Sequence, residues 1–216
     1  MKKIVAFVPI KMNSQRLANK NILPLNNYPL CYHLIKSLCQ VKSIDRVYVY
    51  CSSEKIKDYI PQEAFFLKRS EALDGEFTRG EEIYSAFVNE IDADIYVLAH
   101  VTSPFLHSST IAKAVEKVAS GENDSAFTAK EIKTFCWYNG KPLNYSLTEI
   151  PRTQDIEAVY QETSGFYIFK KEIWEQHHRR IGFSPYMCVV DDFEGVDIDT
   201  EDDYKLAQLL GELTKE

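Results

Sequence analysis

The loop from Pro9 to Asn21 carries three cations, Lys11, Arg16 and Lys20, together with Asn13, Ser14 and Asn21, and near the other end of the chain Asp197 and Asp199 stand two residues apart. These types suit phosphoryl chemistry. A triphosphate is polyanionic and a transferring phosphoryl centre spreads charge over its oxygens, so Lys and Arg converging from one loop stabilise both. Arg contributes a bidentate fork and Lys a point charge. With Asp197 and Asp199 at the end of a strand, the i, i+2 spacing puts both carboxylates on one face. Two close carboxylates repel unless a cation sits between them, and such oxygen ligands suit Mg²⁺, which keeps waters and adds substrate phosphates. Taken singly, each set also has a plainer reading: a polar loop with surface cations, and an Asp199 that merely opens a helix.

The distribution of charge links the two sets. Residues 1–44 hold seven Lys or Arg and no acid, whereas residues 181–204 hold eight Asp or Glu and no Lys or Arg. A basic pole and an acidic pole suit one cleft that takes polyanionic substrate at one wall and a divalent cation at the other. The net charge of −7 argues against nucleic acid or an anionic membrane surface as a partner. The loop is neither G-x-G-x-x-G nor G-x-x-x-x-G-K-[ST], which removes support for dinucleotide binding and P-loop hydrolysis. Ser103 has no His/Asp partner motif, so a hydrolase triad is not indicated. His33 and His107 read as structural or surface groups, and His177-His178 with Arg179 and Arg180 as a basic exposed stretch; none has metal-ligand spacing. The five scattered cysteines suggest neither a disulfide framework nor a zinc site.

The elements that must position these groups alternate. Ile4 to Val8 is an apolar run ended by Pro9, expected as a buried parallel strand. After Pro29, Leu30, Leu34 and Leu38 recur at helical spacing beside Cys31 and Ile35. Further strands are expected at 46–51, 64–68, 95–99, 125–129 and 162–169. Helices are expected after Ser53, over 79–90, after Ser108 and Ser109 as caps, and from Thr200 in a capping-box-like sequence. Alternation of this kind predicts an α/β fold, a doubly wound and mostly parallel sheet in one domain over 1–216. Its ligand crevice should lie beyond the carboxyl ends of the strands. Residues 131–161 are irregular and aromatic and read as an excursion arm that covers substrate or meets a second copy in a homodimer. No run of about 18 apolar residues is present, and the apolar stretch before Pro9 is too short for a signal-peptide core, so no membrane insertion and a cytoplasmic location are expected.

The first loop resembles the signature of the CMP-sugar synthetases, the acylneuraminate cytidylyltransferase family, which runs roughly P-A-R-G-G-S-K-R-I-P-x-K-N. Pro9, Ser14, Arg16, Lys20 and Asn21 match outright; Lys11, Gln15 and Leu17 are close replacements. Lys68-Arg69-Ser70, with Leu73-Asp74 and Thr78, is similar to the family's Arg-containing nucleotide loop. Ala99 to Phe105 resembles L-Q-P-T-S-P-L, and Gly195 to Asp203 resembles the closing I-D-I-D-T-E-E-D. Arg152 with Gln154, and Ser164 to Tyr167, match more loosely. The order and spacing of these segments make the resemblance span nearly the whole chain. Two departures stand out: Met12 and Asn13 replace two glycines, and His100 replaces a glutamine beside the acceptor.

The resemblance implies a Rossmann-like nucleotidyltransferase fold, with Mg²⁺-dependent transfer of CMP from CTP to an acidic, sialic-acid-like 2-keto sugar and release of pyrophosphate. Lys11, Asn13, Ser14, Arg16, Lys20, Asn21, Arg69 and Thr78 are then expected at the nucleotide. Asp197 and Asp199 are expected at the metal, with Lys20, Arg16 and both aspartates carrying catalysis. His100, Thr102, Arg152, Gln154 and Tyr167 are expected at the acceptor, Arg152 as partner of its carboxylate. Rival readings are a Kdo-type or other sugar nucleotidyltransferase, a glycosyltransferase using Asp197-Ile198-Asp199 as its D-x-D, and a non-catalytic nucleotide-binding relative.

Overall fold

The first strand, β1, runs Ile4–Ile10 rather than stopping before Pro9. Its odd and even residues feed two different cores. Ile4, Ala6, Val8 and Ile10 face one cluster and Val5 and Phe7 the other, because successive side chains in a strand point to opposite faces. Pro9 is tolerated inside this central strand because pairing with the strand at 95–99 ends at Phe7, so the absent N–H breaks no ladder on that side. The computed structural model describes residues 2–14 and 16–213.

The remaining elements follow in order. A short hairpin of β2 (Pro24–Leu25) and β3 (Tyr28–Pro29) leads into α1 (Leu30–Cys39), whose Leu30, Leu34 and Leu38 are wholly buried. Then come β4 (Arg46–Cys51), β5 (Phe65–Lys68), α2 (Gly80–Glu90), β6 (Ile95–Ala99), α3 (Ser108–Ala119) and β7 (Ser125–Ile132). After the arm with β8 (Trp137–Tyr138) and β9 (Lys141–Pro142) the chain returns as β10 (Val159–Lys170), then α4 (Lys171–His177), β11 (Pro185–Val190) and α5 (Glu201–Leu213). The seven-stranded sheet has the order β11-β7-β10-β6-β1-β4-β5. Every adjacent pair is parallel except the two that β10 makes, with β6 and β7. Helices α1, α3 and α5 contribute to the core on one face, and α2 and α4 to the core on the other. The sheet is therefore doubly wound and mostly parallel.

Chain order reverses at β1, which has β4 on one side and β6 on the other. At such a switch point the loops leaving neighbouring strands diverge and open a crevice at the strands' carboxyl ends. Because β10 runs the opposite way, it brings its first half, including Ser164, to that same end. A register shift between Glu162 and Tyr167 and a left-handed Ser164 (φ 60°) kink it there.

Several local expectations are corrected. The segment after Ser53 is a 3₁₀ helix, Glu54–Tyr59, and the Ser53 side chain makes no capping bond. Ser108 and Ser109 lie inside α3; its N-terminus is instead met by the buried Glu194, which accepts from the His107 backbone N–H at 2.7 Å and the Thr110 hydroxyl at 3.0 Å. A carboxylate there satisfies an orphan amide and complements the helix dipole. The strands at both edges of the arm are longer than expected, so the excursion spans 133–158. Its hairpin turns through Asn139 and Gly140, both with positive φ, as an Asn-Gly turn requires.

Candidate active site

The loop after β1 folds back on itself before it reaches any partner. Asn21 Nδ2 donates to the Lys11 carbonyl at 2.7 Å, and the 3₁₀ turn Lys20–Ile22 buries Lys20 and Asn21. Lys20 Nζ then donates to the Ile198 carbonyl at 2.9 Å and meets Asp199 Oδ1 at 3.0 Å, while Arg16 grips the same carboxylate in a fork of 2.8 and 2.9 Å. The cationic loop near the start of the chain and the aspartates near its end thus share one wall. Gln15 lies outside the described residues. Met12 packs against the core, and neither it nor Asn13 is among the positive-φ residues, so the loop needs no glycine at those two places.

Asp197-Ile198-Asp199 is not a strand end, as expected, but irregular chain between β11 and α5. It is held by the Ile198 N–H donating to the Thr102 carbonyl at 2.8 Å and by burial of the Ile198 side chain. Both aspartates line the cleft. Burial pushes the Asp197 carboxyl above its ordinary value, the neighbouring Asp199 adds to the effect, and the Thr102 hydroxyl and Lys20 oppose it. Its Oδ1 is buried without a hydrogen-bond partner. An unsatisfied carboxylate oxygen beside a second carboxylate is the donor set a hard divalent cation takes when substrate phosphates complete its shell, so this pair fits Mg²⁺.

Arg69, one residue past β5, is wholly buried. Its Nη1 donates to the Tyr50 carbonyl at 3.4 Å, its Nη2 pairs with Asp74, and its Nε has no partner. The segment 74–76 carries this wall into the cleft, and Lys11 Nζ donates across to the Gly75 carbonyl at 3.1 Å. Thr78 stays out of the cleft; its backbone N–H closes the turn onto the Gly75 carbonyl at 3.2 Å.

His100 leaves β6 half-buried at the floor. Its Nδ1 contacts the Ser164 carbonyl at 2.7 Å, and a carbonyl only accepts, so Nδ1 carries the hydrogen. The other nitrogen, Nε2, therefore presents a lone pair and takes the Tyr84 hydroxyl at 3.3 Å. Burial lowers the His100 pKa from its ordinary 6.5, and the positive charges of Arg180 and Lys20 lower it further, so the ring is neutral at pH 7. Tyr84 reaches this point because residue 80 is glycine: a Cβ there would stand 2.7 Å from the Tyr84 hydroxyl.

The cleft has a volume of about 620 Å³ and brings together Lys11, Asn13, Ser14, Arg16, Lys20, Asn21, Arg69, His100, Thr102, Asp197 and Asp199. Three expected acceptor residues are not at it. Arg152 sits on the exposed arm, its Nε held by Asp155 at 2.6 Å, and Gln154 follows on the same 3₁₀ turn. Tyr167 is wholly buried under the floor, with its hydroxyl between Ser164 and Glu162. In their place stand Tyr84, which the sequence reading passed over, and Ser164, which it matched to a family segment without giving it a role. Tyr84 was visible only as one more aromatic in an amphipathic helix.

The chain is 26% identical over 215 residues to N-acylneuraminate cytidylyltransferase A of Danio rerio, covering 95% of this chain and 50% of that protein. It is 22% identical to post-translational flagellin modification protein B of Campylobacter coli, covering 97% and 95%. It is 24% identical to 3-deoxy-manno-octulosonate cytidylyltransferase of Christiangramia forsetii, covering 82% and 77%. The chain spans about half the length of the Danio relative but nearly the whole of the Campylobacter one. The structure of CMP:2-keto-3-deoxy-manno-octonic acid synthetase complexed with CTP superposes with a TM-score of 0.74 over 98% of this chain and 99% of that one at 16% identity, which establishes the fold. The family model described as cytidylyltransferase matches residues 5–210, so the chain belongs to the cytidylyltransferase family.

Proposed function

We propose that the chain transfers CMP from CTP to an acidic sugar, a sialic-acid-like 2-keto acid, with release of pyrophosphate. The observation that carries this reading is the meeting of Arg16 and Lys20 with Asp199 beside the unpartnered Asp197 oxygen. In the reaction the acceptor hydroxyl attacks the α-phosphorus in line and pyrophosphate leaves. Lys11, Arg16, Lys20 and Arg69 bind the triphosphate and hold its developing charge; Ser14, Asn13 and Asn21 fix the loop around it. Asp197 and Asp199 are the residues to hold Mg²⁺, which when bound neutralises phosphate charge and lowers the pKa of an oxygen it contacts. The Tyr84 hydroxyl, whose proton goes to the neutral His100 Nε2, lines the cleft beside that ring with its oxygen as an acceptor suited to a sugar hydroxyl.

A pyrophosphate-release screen crossing the four nucleoside triphosphates with sialic, legionaminic, pseudaminic and Kdo-type acids tests the reading. The expected result is release with CTP and at least one acid, abolished by EDTA. Release from a neutral sugar but none of the acids, or CTP binding without release, defeats it and favours another sugar nucleotidyltransferase or a non-catalytic relative. A Kdo-type acceptor is the second reading, supported by the Christiangramia relative's name. The exposed aromatic arm supports a homodimer, and the substrates proposed support a cytoplasmic setting.

A further inference from the structure

A second groove of about 540 Å³ opens beside the main cleft, and Gly80 and Tyr84 line both. Its walls are the first turn of α2 and the chain that follows α4. They supply Arg79, His178, Arg179 and Arg180 against a single acid, Glu81. The groove on the other flank, lined by Lys11, Asn19 and Asp74, has no guanidinium group.

Arg180 is the best placed of them. Its guanidinium lies 3.7 Å from the centre of the Tyr167 ring and pairs with Glu162 at 3.1 Å, so its position is held while its side chain stays 36% exposed. It lines the second groove together with Gly80 and Tyr84, the two residues that groove shares with the main cleft. A guanidinium seated over an aromatic ring keeps N–H groups beyond those it gives to Glu162 and Tyr84, and these can receive a carboxylate in charge-assisted hydrogen bonds. Arg152, the expected partner of that carboxylate, is on the exposed arm and lines neither groove.

Resting on the reaction assigned above, we propose that the acceptor's carboxylate binds in this second groove, to Arg180 with Arg79 and Arg179 at its rim. The sugar then lies across Tyr84 and Gly80, its acid pointing away from the triphosphate and its hydroxyl toward it. The arrangement separates the two anionic groups of the ternary complex, each with its own cations. It also selects acids over neutral sugars, since a guanidinium left facing an uncharged group gains nothing for its desolvation.

The test is a double cycle in which protein and ligand each lose one charge. Titration calorimetry on the full chain with Mg²⁺ and a non-hydrolysable CTP analogue compares N-acetylneuraminate and Kdo with their methyl esters, on wild type and on Arg180→Gln. Arg180→Met, which keeps a stem over Tyr167, controls for lost packing. The expected result is at least a tenfold rise in Kd for the acid that wild type binds, in both variants, and less than a twofold change for its ester and for the CTP analogue. Equal losses for acid and ester, an unchanged acid Kd, or no binding of either acid by wild type that binds the analogue overturns the proposal. Acid binding that behaves as expected without pyrophosphate release from CTP would leave this subsite standing and remove the reaction.

Discussion

Asp199 is the residue on which opposite charges converge, and its substitution separates chemistry from folding. Asp199→Asn keeps the shape and the hydrogen-bond acceptor for Lys20 but removes the charge, so turnover should drop by about 10²–10³-fold, the scale of losing one preorganised transition-state contact. Circular dichroism and Tm should change little; turnover near wild type would remove the metal and phosphate roles of this wall. His100 makes a subtler prediction. In His100→Gln the side-chain carbonyl can replace the Nε2 lone pair, but the anchor to the Ser164 carbonyl is lost, so the discrimination between two acids should change while some turnover remains. The measurement is the ratio of kcat/KM for two acceptors; a ratio unaltered by the substitution would tell against an acceptor contact. At this scale the sequence was legible where residue types carried the meaning: the loop cations and the paired aspartates line one cleft, although the aspartates lie on irregular chain and not at a strand end. It was not legible for Arg180, because a pair of arginines after two histidines looks like any solvated basic stretch until the fold lays one of them on Tyr167.

Elements were legible to the extent that their signals are local. The apolar runs of β1, β4 and β6 and the stripe of α1 announce themselves by period, and each formed. The antiparallel sense of β10 did not, because an apolar run reads the same in either direction. The capping of α3 did not either, because Glu194 arrives from more than 80 residues away. A similar long-range tie links the start of β7 to the chain before β11. Asp124 there accepts from the Phe183 and Ser184 N–H groups at 2.7 and 3.0 Å and from the Ser125 hydroxyl at 2.8 Å. Burial works against its ionisation, but those hydrogen bonds outweigh it and hold its carboxyl below the ordinary 3.8. With the folded value depressed, the stabilisation is complete above the unfolded value and lost as pH falls through the folded one. Asp124→Ala should therefore cost about 1–3 kcal/mol at pH 7, and the gap to wild type in denaturant midpoint should close as pH drops below 3.8. A gap independent of pH would mean the side chain acts through packing alone.

For the whole molecule, the arm is the element the sheet does not explain. Asn144 staples it from within, taking the Cys136 N–H and giving to the Thr134 and Glu157 carbonyls at 2.8–2.9 Å. Yet Tyr138 and Ile150 are 73% and 71% exposed, with Trp137 and Leu147 more than half so. Apolar surface of that extent on the arm is what the proposed homodimer would bury. Sedimentation should find a dimer at micromolar concentration, and the double variant Trp137→Asp, Ile150→Asp should be a monomer with an unchanged far-ultraviolet spectrum; a monomeric wild type would refute the face.

The contacts of Asp199 have one more consequence for the molecule as a whole. While Arg16 and Lys20 are engaged there, the cleft supplies its own counter-ions, and filling it is an exchange of partners rather than an addition. On the proposed reading, a cation that draws the carboxylate away releases both basic groups for the triphosphate, and a triphosphate that draws the basic groups away bares the carboxylate. Each ligand thereby clears the other's seat. If both bind as proposed, thermodynamic reciprocity requires that Mg²⁺ tighten CTP by the same factor that CTP tightens Mg²⁺, and in Asp199→Asn both factors should collapse toward one.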